Sequence, residues 1–376
     1  MHISVFMGPM AYSPEQDRPL IDLCVEQSIR CADQGFAMVT FGEQHFNGYE
    51  PYSNPLLMAA RLAPHLGETY FGTTIVPLVL HHPLRLAEDS NLVDLLLRGR
   101  FLLGMSAGRV GFSPDFENFG LDPRRRDEIF ASKLDLLRRA QRQCAGRPPI
   151  VMDTDWDHGS LTGRIMPVSY RRDGAQLAIG TNTPAKVLDA ARRGFPVFLG
   201  PCPPSEAAEL LAQHRAELER SGHDAAVIDD VTRKSLVTRH IFVGSSEDEA
   251  WDMAEAMAGR VPMLDRKADP RPLRELASVP PEAWERDPFP AHTRWVASWI
   301  LAGTPEQVTD RIRAYDRLGV RHLNVRFLVG PYQPELANRS FDLFAKHVLP
   351  DIDNELFPPL RPAQIAAEHQ LADPTL

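Results

Sequence analysis

A chain of 376 residues with a net charge of −9 and 43% hydrophobic residues is long enough for a large folded core. Its basic residues are scattered among acidic ones, which argues against nucleic acid as a partner. No apolar run approaches the ~20 residues of a membrane helix, and the N-terminus lacks the features of a signal peptide. We therefore expect a cytoplasmic protein with no membrane partner and, because no CxxC is present, reduced thiols.

Short β-rich runs alternate along the chain with helical segments that stop at a glycine, as at Gly35, Gly99, Gly194 and Gly319. The predicted strands are His2–Met7, Ala37–Phe41, Tyr70–Val76, Phe101–Leu103, Gln176–Ile179, Pro196–Leu199, Thr238–Val243 and His322–Phe327. This alternation favours a parallel sheet, and about eight strands close a barrel. We predict an α/β fold, a (β/α)8 TIM barrel with insertions. An open Rossmann-type sheet is the alternative, although no G-x-G-x-x-G follows the first strand.

No Ser/Gly-rich linker divides the chain into two domains. We predict a single barrel domain over residues 1–350 and a C-terminal tail over residues 351–376. Residues 262–290 mix charges with many prolines and lack a sustained apolar period, which is typical of a mobile lid. A surface excursion without a function is the alternative for this segment.

Chemistry in such barrels occurs where the strands end, so the residues that follow each predicted strand are the candidates. Glu43 and His45 follow the second strand and supply a carboxylate and an imidazole, and His81 and His82 follow the third. No H-E-x-x-H is present, and we expect no metal. G-x-S-x-G and G-K-[ST] are also absent, which disfavours the corresponding hydrolases and kinases.

A possible anion site follows the fifth predicted strand. Gly180-Thr181-Asn182-Thr183 precede Pro184, which suits the first position of a helix. The free N–H groups at the start of that helix are able to bind an anion such as a phosphate. An ordinary helix cap is the alternative.

Four stretches of the chain resemble the bacterial luciferase-like monooxygenase family: Gly35-Phe36 through GEQHF to Asn54-Pro55, GTTIV…HHPLRLAED…GRFLLG over 72–104, DFENFG over 115–120, and GTPEQV over 303–308. The second stretch is the most specific. The resemblance implies a barrel that is usually dimeric. It also implies reduced FMN, supplied by a partner flavin reductase, that acts with O2 to oxygenate a small organic molecule. A deazaflavin-dependent oxidoreductase that transfers hydride and a non-catalytic flavin-binding barrel are the alternatives.

The resemblance also assigns cofactor contacts. It implies a non-prolyl cis peptide at Thr74–Ile75 behind the flavin ring, the reactive ring edge near Ser106, and the phosphate at the end of the fifth strand. The predicted cofactor-binding residues are Thr73, Thr74, Ile75, Ser106, Ala107, Gly180, Thr181, Asn182 and Thr183.

The chain departs from the luciferases at two places. Where luciferases have E-H-H-F, this chain has Glu43-Gln44-His45-Phe46. The amide of Gln44 does not titrate near neutral pH, so acid–base chemistry in this predicted catalytic trio is left to Glu43 and His45. A luciferase arginine that holds the phosphate aligns with Ala107. Arg109 is a candidate replacement, and a surface salt bridge is its alternative role.

Three further side chains are predicted to line the substrate pocket: His82, His158 and Trp299. For each of them a purely structural role is the alternative.

Overall fold

The computed structural model describes residues 1–109, 114–143, 147–171, 173–360 and 365. The strands in these ranges are β1 (His2–Phe6), β2 (Met38–Phe41), β3 (Tyr70–Thr73), β4 (Val76–Pro77), β5 (Phe101–Ser106), β6 (Ile150–Asp153), β7 (His158–Leu161), β8 (Gln176–Gly180), β9 (Val197–Leu199), β10 (Leu236–Val243), β11 (Ile300–Gly303) and β12 (His322–Arg326). Each predicted strand is present, with small shifts at its ends.

The helices lie between these strands. They are α1 (Asp17–Asp33), α2 (Pro55–Leu62), α3 (Pro83–Leu96), α4 (Asp115–Asn118), α5 (Arg126–Gln141), α6 (Pro184–Arg192), α7 (Pro204–Arg220), α8 (Ala225–Lys234), α9 (Glu247–Met257), α10 (Leu273–Ser278), α11 (Pro290–Trp299), α12 (Pro305–Arg317) and α13 (Pro334–Leu343). Within the described ranges, no helix combines the length and the apolar character that crossing a membrane requires.

Eight strands close into a parallel barrel, which confirms the predicted fold. Neighbouring strands pair in the order β1, β2, β3, β5, β8, β9, β10 and β12, and β12 pairs with β1. The helices cover the barrel on the outside, and the largest apolar cluster joins strand residues such as Val39 to helix residues such as Leu62. The carboxyl ends of all eight strands therefore open on one face of the barrel.

The glycines that were expected to end helices do so for a conformational reason. Gly35, Gly99, Gly194 and Gly319 have φ values of 77°, 78°, 71° and 88°. This left-handed conformation carries no steric cost for glycine, and it turns the chain from a helix into the next strand.

Three strands were not predicted. β11 pairs with the end of β10, where Ile300 lies opposite His240. It follows α11 directly, without a glycine between them, so the sequence does not separate its apolar residues from the helix. β6 and β7 form an antiparallel hairpin separate from the barrel sheet, within a polar insertion whose sequence carries no clear strand period.

The predicted lid over residues 262–290 is folded and partly buried. Leu273, Leu276 and Trp284 are buried, and the Arg271 guanidinium bridges Asp269 and Asp287 with N–O distances of 2.8 Å. The buried apolar residues of this segment are few, so they give no sustained hydrophobic period in the sequence. The mobility of the segment stays a prediction.

The cysteines in the described ranges are free and buried. Burial raises the pKa of the Cys24, Cys31 and Cys202 thiols, which keeps them protonated and poorly nucleophilic. Cys144 lies outside the described residues.

Candidate active site

A cavity of about 720 Å³ opens at the carboxyl ends of the barrel strands. Loops after β2, β3, β5, β8, β10 and β12 contribute to its wall. This volume lies within the range of about 300–1,000 Å³ that is usual for ligand pockets. The cavity is therefore large enough for a cofactor or a substrate, and its position matches that of barrel active sites.

Glu43 organises one side of this cavity. Its Oε1 accepts hydrogen bonds from His45 Nε2 at 2.9 Å and from His81 Nε2 at 2.7 Å. Burial disfavours the charged carboxylate, but the hydrogen bonds from the two imidazoles outweigh burial and lower the pKa of Glu43. The hydrogen bond between His45 and Glu43 also raises the pKa of His45. The cluster can therefore hold a proton next to a carboxylate that stays ionised.

His81 completes the cluster from a different loop. Its backbone carbonyl accepts a hydrogen bond from Lys133 Nζ at 2.7 Å, and Lys133 in turn lies 3.6 Å from Asp157. The sequence pointed to this histidine as one of a pair but did not separate it from His82. The structure brings the loops after β2 and β4 together and shows that His81, not His82, contacts Glu43.

Gln44 and His45 lie on different sides of Glu43. The Gln44 side chain lines the cavity, where its Oε1 accepts a hydrogen bond from Asn47 Nδ2 at 3.2 Å. His45 is not part of the cavity wall; it contacts Glu43 from behind and its ring lies 5.2 Å from the ring of Phe119. The Glu43 carboxylate therefore connects His45 to the cavity, because Glu43 lines the cavity and His45 contacts Glu43 from outside the wall.

We expect the titration of His45 to report this cluster. Glu43→Gln removes the charge that stabilises the imidazolium, so the pKa of His45 should fall, as followed by NMR of its ring signals across pH 5–9. The pair stabilises the fold below the unfolded histidine pKa of about 6.5, and this contribution is lost as pH rises through the raised folded pKa. Glu88→Gln, at a partly exposed glutamate on α3, should leave the His45 curve unchanged. An unchanged curve in Glu43→Gln would contradict the arrangement.

The predicted cis peptide at Thr74–Ile75 is present between β3 and β4. Thr74 and Ile75 both line the cavity, and the Ile75 carbonyl accepts a hydrogen bond from the Glu43 N–H at 3.2 Å. Thr74 Oγ1 is buried and has no hydrogen-bond partner among the described residues. This segment therefore joins the Glu43 cluster to the neighbouring part of the cavity wall.

Thr73 does not reach the cavity. It is fully buried, and its Oγ1 donates a hydrogen bond to the Gly104 carbonyl at 2.8 Å. Side chains alternate along a strand, so adjacent Thr73 and Thr74 cannot share one face. In the structure the Thr73 side chain links β3 to β5, and its cofactor contact stays a prediction. Ser106 and Ala107 line the cavity at the end of β5, where their predicted cofactor contacts would be possible.

The loop before α6 lines the opposite side of the cavity through all four predicted residues, Gly180–Thr183. Thr183 occupies the N-cap of α6 without a capping side-chain hydrogen bond, and Thr181 Oγ1 accepts the Thr183 N–H at 3.1 Å. The Asn182 amide holds the loop after β9, because its Oδ1 accepts the Gly200 N–H at 2.8 Å. The Asn182 side chain therefore positions the loop, and the start of α6 faces the cavity.

Cationic side chains contribute to the same cavity wall. Lys186 in the first turn of α6 lines the cavity, with its Nζ 2.6 Å from Asp127, and Arg109 and Arg126 also line it. A helix N-terminus with nearby cations favours an anionic ligand such as a phosphate.

The three predicted substrate residues fall in different places. His82 is an exposed side chain at the N-cap of α3, and His158 is a 69% exposed side chain on the β6–β7 hairpin beside Asp153. Neither contributes to the cavity wall among the described residues, and their substrate roles stay predictions without support from this cavity. Trp299 does line the cavity, as predicted.

The cavity wall also contains residues that the sequence did not predict, among them Glu50, His240, Trp295 and Arg326. Glu50 lies in the polar loop after β2, and its position after a strand is the signal that could have identified it. His240 and Arg326 were hidden inside predicted strands, because a sequence does not show where along a strand the barrel opens.

A (β/α)8 barrel with a cavity at the carboxyl ends of its strands, lined by apolar surface and a few polar and charged groups, defines a class of protein that is typically enzymatic. The model of the luciferase-like monooxygenase family matches residues 5–322. The chain therefore belongs to the luciferase-like monooxygenase family.

Individual relatives are more distant. The chain is 25% identical over 338 residues to 4-hydroxyprotoasukamycin monooxygenase of Streptomyces nodosus subsp. asukaensis. The aligned region covers 86% of this chain and 84% of that protein. The fold is similar to the FMN complex of the oxygenating constituent of 3,6-diketocamphane monooxygenase from Pseudomonas putida, with a TM-score of 0.72, 17% identity, and 95% and 100% of the two chains covered. It is also similar to an F420-dependent secondary alcohol dehydrogenase, with a TM-score of 0.66, 15% identity, and 94% and 99% covered.

Proposed function

We propose that the protein is the oxygenase of a two-component flavin-dependent monooxygenase, which uses reduced FMN and O2 to insert one oxygen atom into a small organic molecule. The observation that carries the proposal is the pairing of two features across one cavity. An ionised Glu43 between two histidines lies on one side, and the start of α6 with Lys186 in its first turn lies on the other. The first feature suits proton transfer and the second suits a cofactor phosphate.

The residues present fit FMN. The N–H groups at the start of α6 and the side chain of Lys186 suit its phosphate, with Thr181 and Thr183 beside them. The unpartnered Thr74 Oγ1 in the cavity wall suits a polar atom on the edge of a ring. When bound, reduced FMN supplies the electrons that activate O2.

The catalytic cluster would manage protons during this reaction. His45 holds a proton on Nε2 against the Glu43 carboxylate, and His81 fixes the same carboxylate oxygen from the opposite loop. Gln44 lines the cavity next to this carboxylate and contributes an amide that does not titrate. A partner flavin reductase that supplies reduced FMN would account for the two-component type.

The proposal includes a homodimer. Helices α2 and α3 expose the large apolar side chains Leu57, Leu92, Leu95 and Leu96 to solvent. Contiguous exposed apolar side chains are typical of a contact between subunits. Leu56, next to Leu57 on α2, is buried inside the chain, so the proposed contact face consists mainly of the exposed leucines of α3.

The test is a comparison of cofactors followed by rapid mixing. We expect reduced FMN to bind more tightly than a reduced deazaflavin. We also expect the reduced FMN complex, mixed with labelled O2 and a panel of ketones, aldehydes and aromatic acids, to give a product that carries the label. Anaerobic turnover with the reduced deazaflavin would move the assignment to hydride transfer. Tight FMN binding without a labelled product from any compound would favour a non-catalytic flavin-binding barrel.

A further inference from the structure

Arg326, at the end of β12, is a buried cation that forms no salt bridge within 4.0 Å to a described residue. It is 8% exposed, its Nε donates a hydrogen bond to the Leu328 carbonyl at 2.8 Å, and its guanidinium lies 4.9 Å from the centre of the Phe6 ring. No carboxylate of the described residues lies within 4.0 Å of it. Burial lowers the pKa of Arg326, yet a guanidinium stays charged at neutral pH. A buried, unpaired charge is costly, so its retention in a cavity wall indicates an anionic ligand.

Glu50 is the nearest candidate counter-ion, and it is mostly neutral. It is 5% exposed, its side chain packs over the backbone of Gly42, and its Oε2 has no hydrogen-bond partner among the described residues. Burial raises the pKa of Glu50 to about 8, although Arg326 opposes the shift. At pH 7 the Arg326–Glu50 pair therefore carries a net positive charge.

An aromatic wall adjoins this positive charge. His240 on β10 is the register partner of Arg326 on β12, so both side chains project from the same face of the sheet. The His240 ring stacks on Trp299 with centroids 4.4 Å apart, and Trp295 stacks on Trp299 at 5.8 Å. Burial lowers the pKa of His240 well below its usual value, so this ring is neutral. The wall therefore suits a flat apolar group.

The cofactor phosphate does not account for this cation. The proposed phosphate site lies at the end of β8, whereas Arg326 ends β12, three strands further around the eight-stranded barrel. The positive charge at Arg326 thus remains available to a second ligand in the same cavity.

We propose that the substrate of this monooxygenase is an organic carboxylate with a ring-containing body. Arg326 binds the carboxylate through its Nη groups, and the ring packs against Trp299 and Trp295. A guanidinium matches a carboxylate in a two-pronged hydrogen-bonded pair, which fixes orientation as well as charge. That the ligand is a substrate rests on the proposed function. Binding of the carboxylate at Arg326 is testable without turnover.

The test uses two probes of the same shape, 2-naphthoate and neutral 2-naphthamide, titrated calorimetrically into the full chain with and without FMN. We expect the wild-type protein to prefer naphthoate, and Arg326→Gln to weaken naphthoate by about tenfold or more while changing naphthamide little. Arg326→Lys, which keeps the charge, should retain part of the preference for naphthoate, and it serves as the test variant if Arg326→Gln does not fold.

Equal binding of the two probes by the wild-type protein would overturn the proposal. So would a loss of FMN binding in Arg326→Gln with naphthoate binding intact. A naphthoate preference in a protein that neither binds FMN nor oxygenates would refute the proposed function and leave the carboxylate site standing.

The pH dependence adds an independent readout. As pH rises through about 8, Glu50 ionises and competes for Arg326, so naphthoate binding should weaken. The other titratable groups around this pair are His240, which burial keeps neutral, and Glu43, His45, Tyr49, Tyr52 and Cys24. Tyr49, Tyr52 and Cys24 have raised pKa values and stay neutral, and Glu43 stays ionised, so His45 is the competing titration. Glu50→Gln should abolish the weakening at high pH; persistence of the same pH profile in Glu50→Gln would contradict the role of Glu50.

Discussion

Glu43→Gln is expected to lower oxygenation by about 100-fold or more, within the range of 10²–10⁴ that a general acid–base group contributes. Glutamine keeps the shape of the side chain and an acceptor oxygen for His45 and His81. It removes the negative charge that raises the pKa of His45 and that would receive or stabilise a proton at Oε1. The measurement is the rate of label transfer from O2 into product, with reduced FMN in excess and with the compound that the wild-type protein oxygenates.

Matched variants separate chemistry from folding in this experiment. Glu88→Gln replaces a partly exposed glutamate on α3 that pairs with Arg85, and it should leave the rate within about twofold because surface substitutions have small effects. FMN affinity should be similar in Glu43→Gln and wild type, since Glu43 lies across the cavity from the proposed phosphate site. His45→Ala should reduce the rate in the same direction. Wild-type rates in both Glu43→Gln and His45→Ala would remove the cluster from the mechanism.

Gly104→Ala is expected to cost about 3 kcal/mol of the free energy of unfolding, at the upper end of the cost of overpacking. A methyl group at this position of β5 would lie 2.2 Å from the Thr73 carbonyl oxygen and 2.4 Å from the Phe198 ring. The carbonyl belongs to the neighbouring strand, so it cannot move aside without disturbing the barrel wall behind the cavity. Urea denaturation at equilibrium measures the loss.

Two other glycines provide the comparison. Gly163→Ala meets no atom within 4 Å, and its free energy of unfolding should stay within about 0.5 kcal/mol of wild type. Gly72→Ala on β3 meets the Met38 sulfur at 2.8 Å, and the flexible end of a methionine can shift, so an intermediate loss is expected. Equal stability of Gly104→Ala and Gly163→Ala would show that β3 and β5 are not packed this closely.

Local signals in the sequence were sufficient for the architecture. Helices stop at Gly35, Gly99, Gly194 and Gly319 because left-handed backbone is a property of the single residue, and strands follow because apolar β-rich runs are short. Regular alternation of the two then implies a parallel barrel. The same reasoning placed Glu43 and Thr181 at the cavity, since the end of a barrel strand is both a sequence position and a place in the fold, whereas Ser106 came from the family resemblance.

The tertiary structure alone decided which side chains meet. His81 reaches Glu43 across 38 positions of the chain, and Arg326 comes near Glu50 across an even larger separation. Thr73 turned inward whereas Thr74 reached the cavity, because the face of a short strand depends on its register with its neighbours. Burial likewise set the charge of Glu50 and His240, and burial is a property of the packed barrel that no single residue carries in its sequence.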